Sequence, residues 1–398
     1  MSQAPLSVAV AGAGAFGKNH LRVFRELEAA GLGVVLVAAV EPDAARADEI
    51  VEQYEIPVFS SVDVLLATGL KLDAASVAVP TAHHHAVASA LLDAGLDLLV
   101  EKPLAASLAE ADDLIARAAK GNRILQPGHL ERFNPAVLAI QPQLRRPMFF
   151  EAHRLSVFTP RALDVDVVLD LMIHDLDIVL TFAASPVREV RAVGLPILSP
   201  RVDIANVRVE FESGCVANFT ASRVSTERVR KLRFFEPRQY VSIDYARQDL
   251  LIIKVDENTD KTSPAELIAS LPPQVAGLLP PGIVEAVASG KIDLAKIDPA
   301  LIAQFAAKAK IDPAVIAQLT TPGEPKAGLS FSKPPVTPGE PLRLELVSFL
   351  ESVRTRRPPQ VTAQQGRNAL ALALEIQASM EAHAGRAGLA NFYHPDTN

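Results

Sequence analysis

The chain has 398 residues, 49 % of them hydrophobic and 21 % charged, with a net charge of -7. That length allows two domains with sizeable cores, and an acidic balance without any basic run speaks against a nucleic-acid partner. Cys215 is the single cysteine, which excludes an intramolecular disulfide and fits a reducing compartment.

The amino terminus carries no basic segment, apolar signal core or cleavage site, and no uncharged apolar run is long enough to span a bilayer. A cytoplasmic protein with no membrane partner is therefore expected. Residues 6–11 read as a short apolar strand, followed by Gly12-Ala13-Gly14-Ala15-Phe16-Gly17 and a helical stretch over 18–30. Residues 34–40 read as a second strand ending at Glu41, and 44–54 and 62–68 as helices. Residues 74–79 make a third buried strand before Pro80, 84–94 a helix, and 96–100 the strand that leads into Glu101-Lys102-Pro103. A helix over 107–119 begins with Ser107 and Glu110 spaced as a capping box. Strands alternating with helices predict a parallel sheet covered on both faces.

From about residue 126 the pattern changes. Segments 148–156, 187–193, 204–211, 215–221, 231–235, 240–244 and 249–255 read as closely spaced strands, often with alternating polar residues. An antiparallel sheet with one wet face would look like this. One helix is expected over 167–182, and two more over 342–354 and 363–384. Residues 259–341 fit neither pattern and hold 13 of the 30 prolines. Within them, the ten residues from Lys296 recur from Lys310, and each Asp-Pro is a helix start. The expected organisation is a nucleotide-binding domain over 1–125, an α+β domain over 126–258 and 342–398, and a Pro/Ala-rich helical insertion over 259–341.

The glycine fingerprint follows a strand and opens a helix, which is the context it needs. Gly12 permits the tight turn, Gly14 lets the backbone approach a pyrophosphate, and Gly17 lets the helix pack close to the sheet. The helix start then offers free N–H groups, from Ala15 and Phe16 onward, to the anion. Glu41 stands where an adenine ribose should lie. A carboxylate there accepts from ribose hydroxyls and repels a 2′-phosphate; with Pro42 and Asp43 following and no adjacent arginine, NAD is favoured over NADP. Pro80, Thr81 and His84 belong to a loop expected to touch the cofactor. The neighbouring histidines, His83 to His85, point in different directions and do not suggest a shared metal.

Lys102 ends a parallel strand downstream of the fingerprint, so its ammonium is expected at the cofactor crevice, with Pro103 stopping the strand. Asp170-Leu171-Met172-Ile173-His174 is the second chemical signature. Residues four apart share a helix face, so Asp170 can orient His174 while the other ring nitrogen stays free for a substrate hydroxyl. Asp175 and Asp177 read as solvated or capping, and no third ligand stands at zinc-like spacing.

Taken in order, Gly12-x-Gly14-x-x-Gly17, the loop from Pro80 to His84, Glu101-Lys102-Pro103 and Asp170-x3-His174 resemble the glucose-fructose oxidoreductase/inositol dehydrogenase (Gfo/Idh/MocA) family. The resemblance covers residues 6 to about 255 and resumes near 341. It implies an α/β Rossmann domain followed by an α+β domain with an open, mainly antiparallel sheet that commonly forms the oligomer interface. It also implies that Lys102, Asp170 and His174 line the site where a ring hydroxyl meets the nicotinamide, with the general base open between Lys102 and His174. Glu101 joins the implied cofactor-binding set.

Gly128-His129-Leu130-Glu131-Arg132-Phe133-Asn134-Pro135, together with Arg154, Arg161 and the stretch from Asp164 to Asp177, looks like the nucleotide-sugar subgroup, nearest the UDP-N-acetylglucosamine 3-dehydrogenases. His129, Glu131, Arg132, Asn134, Arg154, Arg161 and His174 are the implied substrate-binding residues. Arginines suit a diphosphate because a guanidinium makes bidentate bonds; structural ion pairs of Arg132 and Arg154 are the competing reading.

The expectation is an NAD-dependent oxidation of the 3-hydroxyl of a UDP sugar by a homo-oligomer. Its 3-keto product would suit an aminotransferase of lipid A or surface-polysaccharide synthesis. A dehydrogenase of a free polyol such as inositol is the alternative. A non-catalytic NAD-binding regulator is the alternative of another class, against which the complete set Lys102, Asp170 and His174 stands.

Overall fold

A computed structural model describes residues 4–159, 165–256 and 328–389. The strands of the first half are β1 (Leu6–Ala11), β2 (Val34–Val40), β3 (Val58–Phe59), β4 (Ala74–Val77), β5 (Asp97–Glu101) and β6 (Leu125–Gly128). They form one parallel sheet in the order β3-β2-β1-β4-β5-β6. β1, β4 and β5 are apolar along nearly their whole length because helices cover both faces. Two strands of this sheet went unread in the sequence: β3, because two residues carry no period, and β6, because Gln126 and Pro127 break its apolar run. β6 pairs with β5, so the first domain continues through Gly128 rather than ending at residue 125.

The helices of this half are α1 (Gly17–Ala29), α2 (Ala44–Tyr54), α3 (Val62–Ala67), α4 (His84–Asp93) and α5 (Leu108–Gly121). Ser107 caps α5 by accepting from Glu110 N, but the Glu110 carboxylate takes the N–H of Ala106, so only half of the expected capping box forms.

The second sheet has eight strands. They are β7 (Phe149–Leu155), β8 (Val187–Leu195), β9 (Ile204–Phe211), β10 (Val216–Ser222), β11 (Val229–Glu236), β12 (Gln239–Asp244), β13 (Asp249–Asp256) and β14 (Gly328–Ser332). Their order is β14-β13-β12-β11-β7-β10-β9-β8, antiparallel except for the parallel pair β7–β10. β7 alternates strictly between buried and half-buried residues, as a sheet with one covered face requires. The covered face packs Phe150, Phe219 and Phe234 against Met172, Leu176 and Ile376 of the helices above it.

β14 lies within the segment expected to be a helical insertion, yet it extends the sheet beside β13. The two Asp-Pro helix starts lie outside the described residues.

Among the described residues, four helices belong to the second half: α6 (Pro135–Ile140), α7 (Ile173–Ala183), α8 (Pro341–Thr355) and α9 (Ala363–Arg386). α8 corrects the expected domain assignment. Its Leu342, Leu346, Phe349, Leu350 and Val353 pack with Val8 and Val10 of β1 and with Leu21 and Phe24 of α1. The chain thus crosses back to the nucleotide-binding half before α9 returns to the second sheet, where Leu372, Ala373, Ile376 and Met380 join its core. No helix among the described residues is long and apolar enough to cross a membrane.

Candidate active site

The glycine turn between β1 and α1 is built as its residue types demand. Gly12 has φ +88°, and a Cβ there would meet Val79 N at 2.7 Å and the Ala78 carbonyl at 2.8 Å. A Cβ on Gly17 would overlap the Gly12 carbonyl oxygen. At Gly14 the nearest atom to such a Cβ is an Arg46 nitrogen at 4.0 Å, so that face is open for a ligand to approach. No side chain caps α1, and Ala15 and Phe16 are exposed beside its first turn. This cradle fits the pyrophosphate of a dinucleotide.

Glu41 is 4 % exposed, and its two oxygens accept from Ala13 N and Asp43 N, both at 3.0 Å. That fixes the carboxylate at the β2 end with a lone pair on each oxygen still free for ribose hydroxyls. The sequence suggested that no arginine stands beside Glu41. The first turn of α2 instead folds Arg46 back to 3.8 Å from it.

Thr81 and His83 form a single 3-10 turn after Pro80, beside the same crevice. His84 is buried and held between two backbone carbonyls. Its ring nitrogens sit 2.8 Å from the Pro103 carbonyl and 2.9 Å from the Val79 carbonyl, tying the segment after β4 to the segment after β5. His85 turns to Asp113 instead.

Lys102 leaves the carboxyl end of β5, and the peptide bond to Pro103 is cis. Its ammonium donates to the Asp170 carbonyl at 2.7 Å and lies 3.6 Å from the Asp170 carboxylate. Glu101, expected among the cofactor-binding residues, has protein partners. Its carboxylate meets the His20 ring at 3.0 Å and accepts from Lys102 N, while the other His20 nitrogen meets Ser76 Oγ at 2.7 Å. Sequence reasoning missed His20 and Ser76. The available signals were a histidine on the buried stripe of α1 and a lone hydroxyl in the apolar run of β4.

The expected bond between Asp170 and His174 is not made. Asp170 lies in a π turn, Val168–Met172, not in the regular α-helix that the four-residue spacing assumed. The Asp170 carboxylate is drawn to Lys102, and His174 Nδ1 has no protein partner. Burial, reinforced by the nearby Lys102 charge, holds the His174 pKa well below its ordinary 6.5. His174 is therefore a neutral imidazole at neutral pH, able to accept a proton, and it is half-buried at the start of α7. Lys102, Asp170 and His174 converge at the end of β5.

The run from Gly128 to Pro135 is placed differently from expectation. Arg132 is 2 % exposed and donates to Thr181 Oγ1, with Asp177 at 3.5 Å. Arg154 is 3 % exposed and grips Asp175 with two bonds of 2.7 and 2.9 Å, and Glu131 with a third of 3.0 Å. Its guanidinium also lies over the Tyr245 ring. Asn134 caps α6 and donates to Glu131 and to the Tyr245 carbonyl. His129 is buried, and its Nε2 would lie 3.7 Å from a Cβ on Gly366 of α9.

Glu131, Arg132, Asn134 and Arg154 thus form a buried ion-pair network, and His129 is packed beneath α9. All five are buried, and for Arg132 and Arg154 this is the structural ion pairing that the sequence offered as the competing reading. Asp175 and Asp177, read from the sequence as solvated, are the buried counter-charges. The cause is the short 3-10 turn Leu130–Phe133, which tucks the whole run under α7 and α8. Arg161 lies outside the described residues.

Comparison with known proteins agrees with the two-part fold. A family model for oxidoreductases with an NAD-binding Rossmann fold matches residues 6–129, and one for the GFO/IDH/MocA C-terminal domain matches residues 137–238. The chain is similar to a UDP-N-acetylglucosamine 3-dehydrogenase of Acidithiobacillus ferrooxidans, 38 % identical over 240 residues, 60 % of this chain and 75 % of that protein. A solved structure of UDP-N-acetylglucosamine 3-dehydrogenase from the same organism matches with TM-score 0.73 and 28 % identity, over 96 % of this chain and 99 % of that one. An inositol 2-dehydrogenase of Saccharopolyspora erythraea is 33 % identical over 165 residues, 38 % of this chain and 48 % of that protein.

Proposed function

The chain belongs to the GFO/IDH/MocA family of NAD-dependent oxidoreductases, and from that premise we propose that it oxidises the 3-hydroxyl of UDP-N-acetylglucosamine, or of a related UDP sugar, to a 3-keto sugar. One observation supports the reading: Lys102 at the end of β5 is bound to Asp170 and acts on His174, in a chain similar to a UDP-N-acetylglucosamine 3-dehydrogenase over three-quarters of that protein's length.

The Lys102 ammonium donates to the sugar hydroxyl and stabilises negative charge as it grows on that oxygen. Asp170 holds the ammonium in place through its carbonyl and carboxylate. Neutral His174 takes the hydroxyl proton, directly or through Lys102. NAD supplies the acceptor for the hydride leaving the same carbon. Glu101, pinned by His20, fixes the strand end from which Lys102 projects.

A 3-keto sugar would be taken up by an aminotransferase, in the cytoplasm, for amino sugars of lipid A or surface polysaccharide. The open face of the second sheet would join copies of the chain. The inositol dehydrogenase relative favours one second reading, oxidation of a free polyol.

The deciding experiment follows NADH formation with UDP-N-acetylglucosamine, free N-acetylglucosamine and inositol, with a keto-trapping reagent present. Turnover with the UDP sugar alone is expected. Turnover with inositol and not the UDP sugar would establish the second reading.

A further inference from the structure

With Arg132 and Arg154 committed to buried carboxylates, and Arg161 outside the described residues, the nucleotide-sugar reading needs another partner for its diphosphate among the described residues. The register of the second sheet supplies one. In the antiparallel pair β7–β11, Arg230 stands directly opposite Arg154. Residues directly opposite share a face, and that face is the covered one, since Leu232 and Phe234 continue it as fully buried side chains. Arg230 is the next residue outward along the same row, and it is exposed. Arg154 binds Asp175, the residue after His174, so the row of Arg230 ends beside the base.

The charges at this corner do not balance. Arg154 has two carboxylates, Glu131 and Asp175. Arg230 forms no ion pair among the described residues; Arg154 and Arg228 act on it as cations and Glu131 and Asp175 as carboxylates, so three cations face two carboxylates and one positive charge is left over. Like charges directly opposite in an antiparallel pair are destabilising. An exposed guanidinium held in that position, beside a catalytic group, is a site for an anion. A guanidinium offers two parallel N–H donors, which match two oxygens of a phosphate.

We infer that Arg230, assisted by Arg228, binds the diphosphate of the nucleotide-sugar substrate and thereby sets the enzyme's preference for UDP sugars over free sugars. The inference rests on the UDP-sugar reading proposed above. It places the diphosphate at the start of β11 and the sugar ring inward, between His174 and Lys102. Arg230 is a specificity residue here, and no proton or hydride passes through it.

The test uses the full-length enzyme with Arg230→Ala, Arg230→Lys and, as a control on the opposite face of the same strand, Arg233→Ala. Two quantities are read: KM for UDP-N-acetylglucosamine, and the inhibition constant of UDP alone. Arg230→Ala should raise both by about tenfold or more, as loss of a charge-assisted bond does, while KM for NAD and the melting temperature stay near wild type. Arg230→Lys should recover only part of the loss, because the charge remains and the fork does not. Arg233→Ala should change neither quantity.

UDP inhibition that is the same in Arg230→Ala as in wild type would overturn the inference while leaving the substrate reading intact. A wild-type enzyme that neither turns over UDP-N-acetylglucosamine nor binds UDP would overturn both. If Arg230→Ala does not fold, Arg230→Lys and Arg228→Ala carry the same comparison, and unchanged constants in both would refute it.

Discussion

Lys102 and His174 divide the work of removing a proton from an alcohol. The ammonium of Lys102, held by Asp170, is a fixed positive charge where an alkoxide would form. Replacing Lys102 with alanine should cut kcat by about a hundredfold or more, with NAD binding retained; a loss under about tenfold would remove Lys102 from the chemistry. His174 makes a separate claim. Burial first, and the Lys102 charge second, keep its pKa well below 6.5. Losing a neighbouring cation favours the imidazolium, so Lys102→Met should raise the His174 pKa. An NMR titration of the His174 ring would show this as an upward shift of the midpoint, and a midpoint that stays put would mean that burial alone sets it. Both residues were legible because each sits in a local motif. Their pairing was not. The spacing of Asp170 and His174 implied a bond between the two, but the π turn and Lys102, 68 residues earlier, redirected Asp170.

Among the elements, the turn from β1 into α1 separates a folding role from a binding role. A Cβ on Gly17 would overlap the Gly12 carbonyl, whereas one on Gly14 would meet nothing closer than 4.0 Å. Gly17→Ala should therefore lower the melting temperature and abolish NAD binding together. Gly14→Ala should melt like wild type yet bind NAD more weakly, because its methyl occupies the ligand's side of the turn. Equal melting temperatures and equal NAD affinities in the two variants would contradict this division. α8 carries a second prediction. Its Glu345 is fully buried, and neither carboxylate oxygen has a protein partner. Burial above all, with Glu101 and Asp177 adding repulsion, raises its pKa well above 4.5. The folded state then keeps a proton that the unfolded chain loses, so stability falls as pH rises above about 4.5 toward the folded-state pKa. Glu345→Gln removes this penalty. The variant should melt higher than wild type at about pH 8, with the gap closing toward about pH 4.5, and a gap independent of pH would count against the buried proton. The apolar stripe of α8 was readable in the sequence. Its partner sheet was not, because Val8 and Leu346 lie at opposite ends of the chain.

At the scale of the molecule, helices among the described residues cover one face of the second sheet. On the other face Phe149 and Phe235 stack at 5.5 Å and Phe235 and Tyr240 at 5.2 Å, with Phe235 exposed. An exposed aromatic cluster on an open sheet suits contact with a second copy. Light scattering should find a dimer or larger species, and Phe235→Glu should shift it toward monomer; an oligomer indifferent to Phe235→Glu would place the interface elsewhere. The sequence alone determined what depends on neighbours along the chain. Strand and helix periods, the glycine turn, the lysine at a strand end and the change from parallel to antiparallel patterning are all set within a few residues by sterics and backbone hydrogen bonding. Tertiary structure decided which side chains face each other. Arg132 and Asp177, Arg154 and Asp175, and His20 and Glu101 are 45, 21 and 81 residues apart. A buried charge must find an opposite charge, so the fold drew Arg132 and Arg154 inward and left Arg230 at the surface. The three are the same residue type in sequence, and only the sheet register and the carboxylates of α7 tell them apart.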